Sequence, residues 1–163
     1  PGNPGTEHRI GGLEKDLDSG DISYDPTNHQ RMTDLRAQKV LSIADSVPEA
    51  KVDQGDDSGD LLVVGWGSTY GAISRAVRLC RADGSAVSHL HVRNIWPLRR
   101  GTGDVLRRFN AVMVPEMNAG MLVKLLRTET LVDARGFNQV TGQPFKVADL
   151  EREIRARLAA HGS

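Results

Sequence analysis

The chain has 163 residues, 39% of them hydrophobic, and its 21 Lys and Arg balance its 21 Asp and Glu. This suits one domain with a sizeable core and the composition of an ordinary soluble protein. No apolar run approaches the length needed to span a bilayer, and no charged-then-apolar start suggests a secretory signal. Aromatic residues are only 4% and the arginines form no dense run, which argues against nucleic acid as a partner.

Charge is unevenly distributed. Residues 1–60 carry 6 Lys and Arg against 13 Asp and Glu, and residues 61–163 carry 15 against 8. Either the acidic front improves solubility or docks on the basic remainder, or the basic part faces an anionic ligand or partner. Cys80 is the only cysteine, so an intramolecular disulfide is ruled out and a reducing cytoplasm is the expected compartment. One thiol cannot hold an iron–sulfur cluster, which takes about four. His89 and His91 share a strand face. No third ligand lies nearby in sequence, so the expectation is a structural pair and no metal site.

Pro1-Gly2-Asn3-Pro4-Gly5 reads as a linker, and the missing initiator Met predicts that the chain begins within a longer protein or has been trimmed. Residues 1–27 are expected to form a linker and irregular arm, and 28–163 a single α/β domain. A helix is predicted from Asn28, with Met32, Leu35, Val40, Ile43 and Ala44 at helical spacing, ending by Pro48. Residues 49–60 read as an exposed acidic loop.

Leu61-Leu62-Val63-Val64 is an apolar run of the kind found in strands buried on both faces. A helix through Ile73, Ala76, Val77 and Cys80 follows, closed by Gly84. Ala86–Val92 reads as a second strand, Ile95–Leu98 as a loop, and Val105, Leu106 and Phe109 as a short helix. Ala111–Val114 reads as a third strand, followed by a helix ending near Arg127. A weak fourth strand is predicted around Leu131-Val132, and a terminal helix over Asp149–Ala160. Strands recurring from Leu61, Ala86 and Ala111 imply βαβ units and a mainly parallel sheet flanked by helices, with those three strands central. The loops at 65–69, 93–103 and 115–120 then share the edge where such sheets meet ligands.

Gly65, Gly67, Ser68 and Thr69 form the candidate anion site. The glycines permit a tight turn, and helix N-terminal amides with the two hydroxyls could hold phosphate or carboxylate. The alternative is a helix cap with close strand–helix packing. The spacing departs from a dinucleotide fingerprint, and no Lys precedes Ser68 as in a Walker loop. Ser68 also lacks the G-x-S-x-G context of a hydrolase. Glu116 is either an acid or base, or a structural carboxylate that caps the helix or binds a neighbouring loop, and the structural role is favoured because no partner group is visible. Arg99-Arg100 and Arg107-Arg108 could grip coenzyme A, although solvated arginines are commoner. Cys80 is expected in the core. Trp66, Trp96 and Met117, all in strand-end loops, are candidate interface anchors.

Four stretches, taken in order, carry a resemblance. They are Glu7–Asp16 (EHRIGGLEKD), Asp25-Pro26-Thr27-Asn28-His29 with Arg36-x-x-Lys39-Val40, Val64–Gly71 (VGWGSTYG) and Val114–Gly120 (VPEMNAG). Together they resemble the C-terminal part of the alpha subunit of 2-oxoacid:ferredoxin oxidoreductases, closest to the 2-oxoglutarate type. The resemblance implies a fold similar to the transketolase C-terminal domain. It implies an enzyme that oxidatively decarboxylates a 2-oxoacid to its acyl-CoA, with coenzyme A as co-substrate and electrons passed to ferredoxin. The complete enzyme would use thiamine diphosphate, Mg and an iron–sulfur cluster, held by another domain and the beta subunit.

On that reading the partners are the remainder of the alpha subunit and the beta subunit. This chain would carry no cofactor, no metal and no catalytic residue, and would support assembly and the composite active site. The family pattern usually has Gln-Leu where Met121-Leu122 stand, and often Asn-Pro-Leu-Pro near Ile95–Arg99. Two other readings stay open: a free-standing anion- or nucleotide-binding module using the Gly65–Thr69 loop, and a purely structural interaction domain.

Overall fold

The computed structural model describes residues 2–7 and 11–161, so His8, Arg9 and Ile10 of the first motif lie outside the described residues. The chain divides into two compact units at Ile43/Ala44. In the first, an antiparallel bridge between Lys15 and Ile22 pins an irregular arm. Helix α1 (Pro26–Leu41) starts two residues earlier than Asn28. Pro26 supplies the fixed φ suited to a first helical position, and the Asp25 carboxylate accepts from the Asn28 amide at 2.8 Å. Glu14 from the arm takes both Arg36 guanidinium nitrogens at 3.1 Å and lies 2.9 Å from His29 Nδ1. The Arg36 guanidinium, helped by His29, lowers the Glu14 carboxyl to about 2. A short helix α2 (Ile43–Ser46) spans the division.

The second unit is built on four parallel strands, β1 (Gly59–Trp66), β2 (Val87–Val92), β3 (Phe109–Glu116) and β4 (Ala134–Asn138), in the order β2-β1-β3-β4. The strands are linked by helices α3 (Tyr70–Ala82), α4 (Thr102–Arg107) and α5 (Met121–Thr130), and α6 (Val147–His161) ends the chain. Period-two alternation along β1 divides its side chains between two cores. Leu62 and Val64 pack with Val105 and Leu106 of α4 and with Leu122 and Leu126 of α5. Leu61 and Val63 pack with Ile73, Ala76, Val77 and Cys80 of α3 and with Leu150 and Ile154 of α6. The sheet is therefore sandwiched between two helical layers, as its continuous apolar strands imply.

Several expectations need correction. Ala86–Val92 is an edge strand, not a central one. Its complete burial is explained by the acidic segment beside it, which is not a free exposed loop. Gln54 forms an antiparallel bridge with His89, and Val52, Asp53 and Gln54 are half-buried. That bridge covers the outer edge of β2. The fourth strand begins at Ala134, since Leu131 adopts the left-handed conformation (φ 57°) that ends α5 and is 90% exposed. Phe109 opens β3 and is not part of α4. Helix α5 runs three residues beyond Arg127.

Candidate functional site

The C-terminal ends of β1, β2 and β3 bring the loops after Gly65, Val92 and Pro115 to one edge. Gly65 is the point of closest approach. A Cβ there would lie 2.5 Å from Ile73 Cδ1 and 3.0 Å from Thr69 Oγ1, so only glycine lets α3 pack this tightly on β1. Gly67 has φ +57°, the left-handed turn that redirects the chain into a short 3-10 segment, Gly67–Thr69. Thr69 is buried, and its hydroxyl donates to the Trp66 carbonyl at 2.8 Å and accepts from the Trp66 amide at 3.1 Å. It is a local brace for the turn. Ser68 is exposed. Gly67, Ser68 and Thr69 line a depression of about 310 Å³ with Trp66, Met117, Asn118 and Met121. Its walls are predominantly the apolar side chains of Trp66 and the two methionines.

Glu116 is fully buried at the end of β3. Its Oε1 accepts from the Leu122 amide at 2.8 Å, from Trp66 Nε1 at 3.2 Å and from Asn118 Nδ2 at 3.2 Å, while Oε2 accepts from the Val123 amide at 3.0 Å. The carboxylate therefore sits on the N-terminus of α5, where unpaired amides and the helix dipole favour negative charge. Asn118 Oδ1 takes the next amides, Gly120 at 2.8 Å and Met121 at 2.9 Å. Glu116 is thus a cap and a tie between β1, β3 and α5. A carboxylate already accepting four bonds is poorly placed to exchange a proton with a substrate.

His89 and His91 face α3, with the Tyr70 ring 5.3 Å from the first and 5.0 Å from the second. His89 is fully buried, and neither of its ring nitrogens has a hydrogen-bond partner. Burial, then the charge of His91, pushes its pKa down to about 4, and burial lowers that of His91 as well. Both imidazoles are accordingly neutral near pH 7. Asp53, half-buried beside this pair, accepts from the His91 amide at 2.7 Å and pairs with Arg93 at 2.8 Å. The sequence offered no signal for Asp53, because its role comes from an edge bridge between distant segments.

Among the described residues, no group of three or more His, Cys, Asp and Glu side chains could hold a metal ion. Cys80, the sole thiol, is buried in the α3–α6 core, with its pKa raised by burial. The four arginines do not form one grip. Arg100 pairs with Asp45, and Arg99 reaches Asn94. Arg107 pairs with Asp104 at 3.0 Å and donates to the Thr130 carbonyl at 2.9 Å. Arg107 and Arg108 precede the first residue of β3, at the opposite end of the sheet from the 65–69 and 115–120 loops. Of the three candidate interface anchors, Trp66 is half-buried with its indole N–H bound to Glu116, and Met117 packs against the α3–α6 core. Trp96 is 53% exposed.

Parallel β2-β1-β3-β4 order with helices on both faces defines a three-layer α/β domain. A split-gene transketolase chain shares this fold, with a TM-score of 0.52 and 16% identity over 92% of this chain and 47% of that chain. No family model matches the chain. Curated relatives are more specific. The chain is 46% identical over 98% of its length to the 2-oxoglutarate oxidoreductase subunit KorA of Mycobacterium tuberculosis. It is 33% identical over 80% of its length to the alpha subunit of 2-oxoacid:ferredoxin oxidoreductase 1 of Aeropyrum pernix.

The 2-oxoglutarate:ferredoxin oxidoreductase of Magnetococcus marinus, solved with 2-oxoglutarate, coenzyme A and succinyl-CoA bound, matches 97% of the chain with a TM-score of 0.87 and 28% identity. The chain spans about a quarter of these relatives' length: 24% and 22% of the two curated proteins and 28% of the solved chain. It is similar to the C-terminal part of alpha subunits of 2-oxoacid:ferredoxin oxidoreductases.

Proposed function

We propose that this chain is the C-terminal domain of the alpha subunit of a 2-oxoglutarate-type 2-oxoacid:ferredoxin oxidoreductase, and that it supports assembly and the composite active site without carrying catalytic groups. The observation that carries this reading is the 46% identity sustained over 98% of the chain. The complete enzyme would convert 2-oxoglutarate and coenzyme A to succinyl-CoA and CO2, passing two electrons to ferredoxin. Thiamine diphosphate, with Mg, supplies the carbanion chemistry of such decarboxylations, and an iron–sulfur cluster carries the electrons.

The residues of this chain do not fit those groups. Its one thiol is buried, and the carboxylate at its strand edge is saturated by Trp66, Asn118 and the α5 amides. The cofactors would lie in the rest of the alpha subunit and in the beta subunit, within a cytoplasmic enzyme. What this chain contributes is a rigid edge. Glu116 locks the 115–120 turn to the 65–69 turn, so a neighbouring domain would meet both as one surface.

The test is oxidation of 2-oxoglutarate by the complete alpha and beta subunits with coenzyme A and an electron acceptor, run beside this chain alone with the same additions. Turnover by the complete enzyme and none by the chain alone is expected. Turnover by the chain alone would overturn its non-catalytic role. Absence of 2-oxoacid oxidation by the complete enzyme would overturn the activity.

A further inference from the structure

Helix α1 has 16 residues, and not one of them is buried. It is nevertheless apolar in part: Leu35, Val40 and Leu41 are exposed at 39%, 38% and 47%. Leu35 and Leu17 of the arm flank a groove of about 420 Å³ rimmed by Thr27, Gln30, Asp34 and Gln38, which recur along one side of the helix. An isolated helix of about this length is marginal in water, so packing must supply most of its stability. The arm provides little packing, since its ties to α1 are mainly polar: Glu14 to Arg36 and His29, Asn28 to Lys15, and Asp18 to Arg31.

The match to the solved oxidoreductase covers 97% of the chain. The first 43 residues are far more than the uncovered remainder, so the arm and α1 recur in a protein of which this chain is 28%.

We infer that the Leu17–Leu35 groove along α1 forms the docking surface for the part of the alpha subunit that precedes this chain in its relatives. The inference rests on the functional reading above. Three features select that occupant. The relatives are about four times longer, and the similarity falls on their C-terminal part. The arm and α1 are the segment of this chain nearest that preceding polypeptide, and covalent linkage gives the preceding part an effective concentration of about millimolar. An apolar centre with a Thr, Gln, Asp and Arg rim, Arg31 included, matches the composition of an interface between domains. The arm's ion pairs hold Leu17 beside Leu35 in advance, which lowers the ordering cost of docking.

The test is amide hydrogen exchange on the full-length alpha subunit, with and without the beta subunit. Expected is protection of the α1 amides by about 100-fold or more in the alpha subunit alone, independent of its concentration. Leu35→Asp should reduce that protection about tenfold or more while β1 and β3 stay protected, which shows that the sheet remains folded. Val140→Asp, at another exposed apolar residue, should change nothing in α1.

Exchange of wild-type α1 within about tenfold of free-peptide rates would overturn the inference. So would protection indifferent to Leu35→Asp. Protection that appears only with the beta subunit, or only at concentrations where copies associate, assigns a different occupant and equally overturns it. Oxidation of 2-oxoglutarate is measured in the same preparations. An active enzyme with unprotected α1 refutes the docking alone, whereas an inactive one with protected α1 refutes the functional reading alone.

Discussion

Replacing Glu116 is the most demanding test of how the strand edge is held. In Glu116→Ala, four donors lose their acceptor: the Leu122 and Val123 amides, Trp66 Nε1 and Asn118 Nδ2. Each unsatisfied buried donor costs about 1–3 kcal/mol, and Asn118, near the surface, can turn to water. Partial entry of water into the space of the missing carboxyl recovers some of the remainder. A destabilisation of about 4 kcal/mol follows, a large part of the roughly 5–15 kcal/mol that holds a domain together.

Glu116→Gln keeps the volume, and its carbonyl can replace Oε1 towards Trp66, Asn118 and Leu122. Its NH2 then faces the Val123 N–H, donor against donor, and the charge on the helix N-terminus is lost. That costs about 2 kcal/mol. The assay is guanidinium unfolding followed by tryptophan fluorescence, with hydrogen exchange at Leu122 and Val123 as a local readout. A cost for Glu116→Ala below about 0.5 kcal/mol, with both amides still protected, would refute the claim that this carboxylate anchors α5.

Three further outcomes follow from the same geometry. The folded pKa of His89, about 4, lies below its ordinary value of 6.5, so its stabilising effect is complete above pH 6.5 and is lost as pH falls towards 4. Urea titrations should show up to about 3 kcal/mol of that loss, and His89→Leu should flatten the profile over this window. Gly65→Ala pushes a methyl against Ile73 and Thr69 and should cost about 1–3 kcal/mol in thermal or denaturant unfolding. Trp96→Ala should leave unfolding of this chain within about 1 kcal/mol of wild type but weaken assembly with the complete subunits by about 2 kcal/mol, read by dissociation titrations; the reverse pattern would make Trp96 a core residue.

The parallel sheet was legible because Leu61–Val64 and Ala111–Val114 are apolar at every position, which only a strand covered on both faces requires. The place of β2 was not legible. Val87–Val92 is as buried as a central strand because Asp53 and Gln54 cover its outer edge, and an acidic segment gives no local sign of that role. The fourth strand was misplaced for a similar reason. Leu131-Val132 is apolar and strand-like, but Leu131 closes α5 in a left-handed turn while the less apolar Ala134–Asn138 pairs with β3.

At the strand edge, the tight turn of Gly65 and Gly67 could be read directly from glycine spacing. The commitment of Thr69 to Trp66 could not, since a hydroxyl that braces its own turn and one that awaits a ligand look the same in sequence. A structural role for Glu116 was readable from its place before a helix, with a cap or a tie to a neighbouring loop both open, and the carboxylate does both. Its bond to Trp66, fifty residues away, was not readable.

The arrangement of polar groups has a consequence for the proposed role. In open parallel sheets, the C-terminal edge is where ligands are usually held, because loop amides and side chains there are free to point outward. Here those groups face one another. Thr69 serves Trp66, Trp66 serves Glu116, Glu116 and Asn118 cover the first amides of α5, and Asp53 takes the His91 amide. Outward at this edge stand the apolar Met121, at 67% exposure, and Trp96, at 53%, beside Ser68 and the ion-paired Arg93 and Arg100. Apolar contact carries little chemical information but considerable binding energy, and a cross-braced turn cannot move without disturbing its neighbours. An edge built this way transmits position to whatever rests on it. That is the property required of a domain that completes another domain's active site without contributing reacting groups of its own.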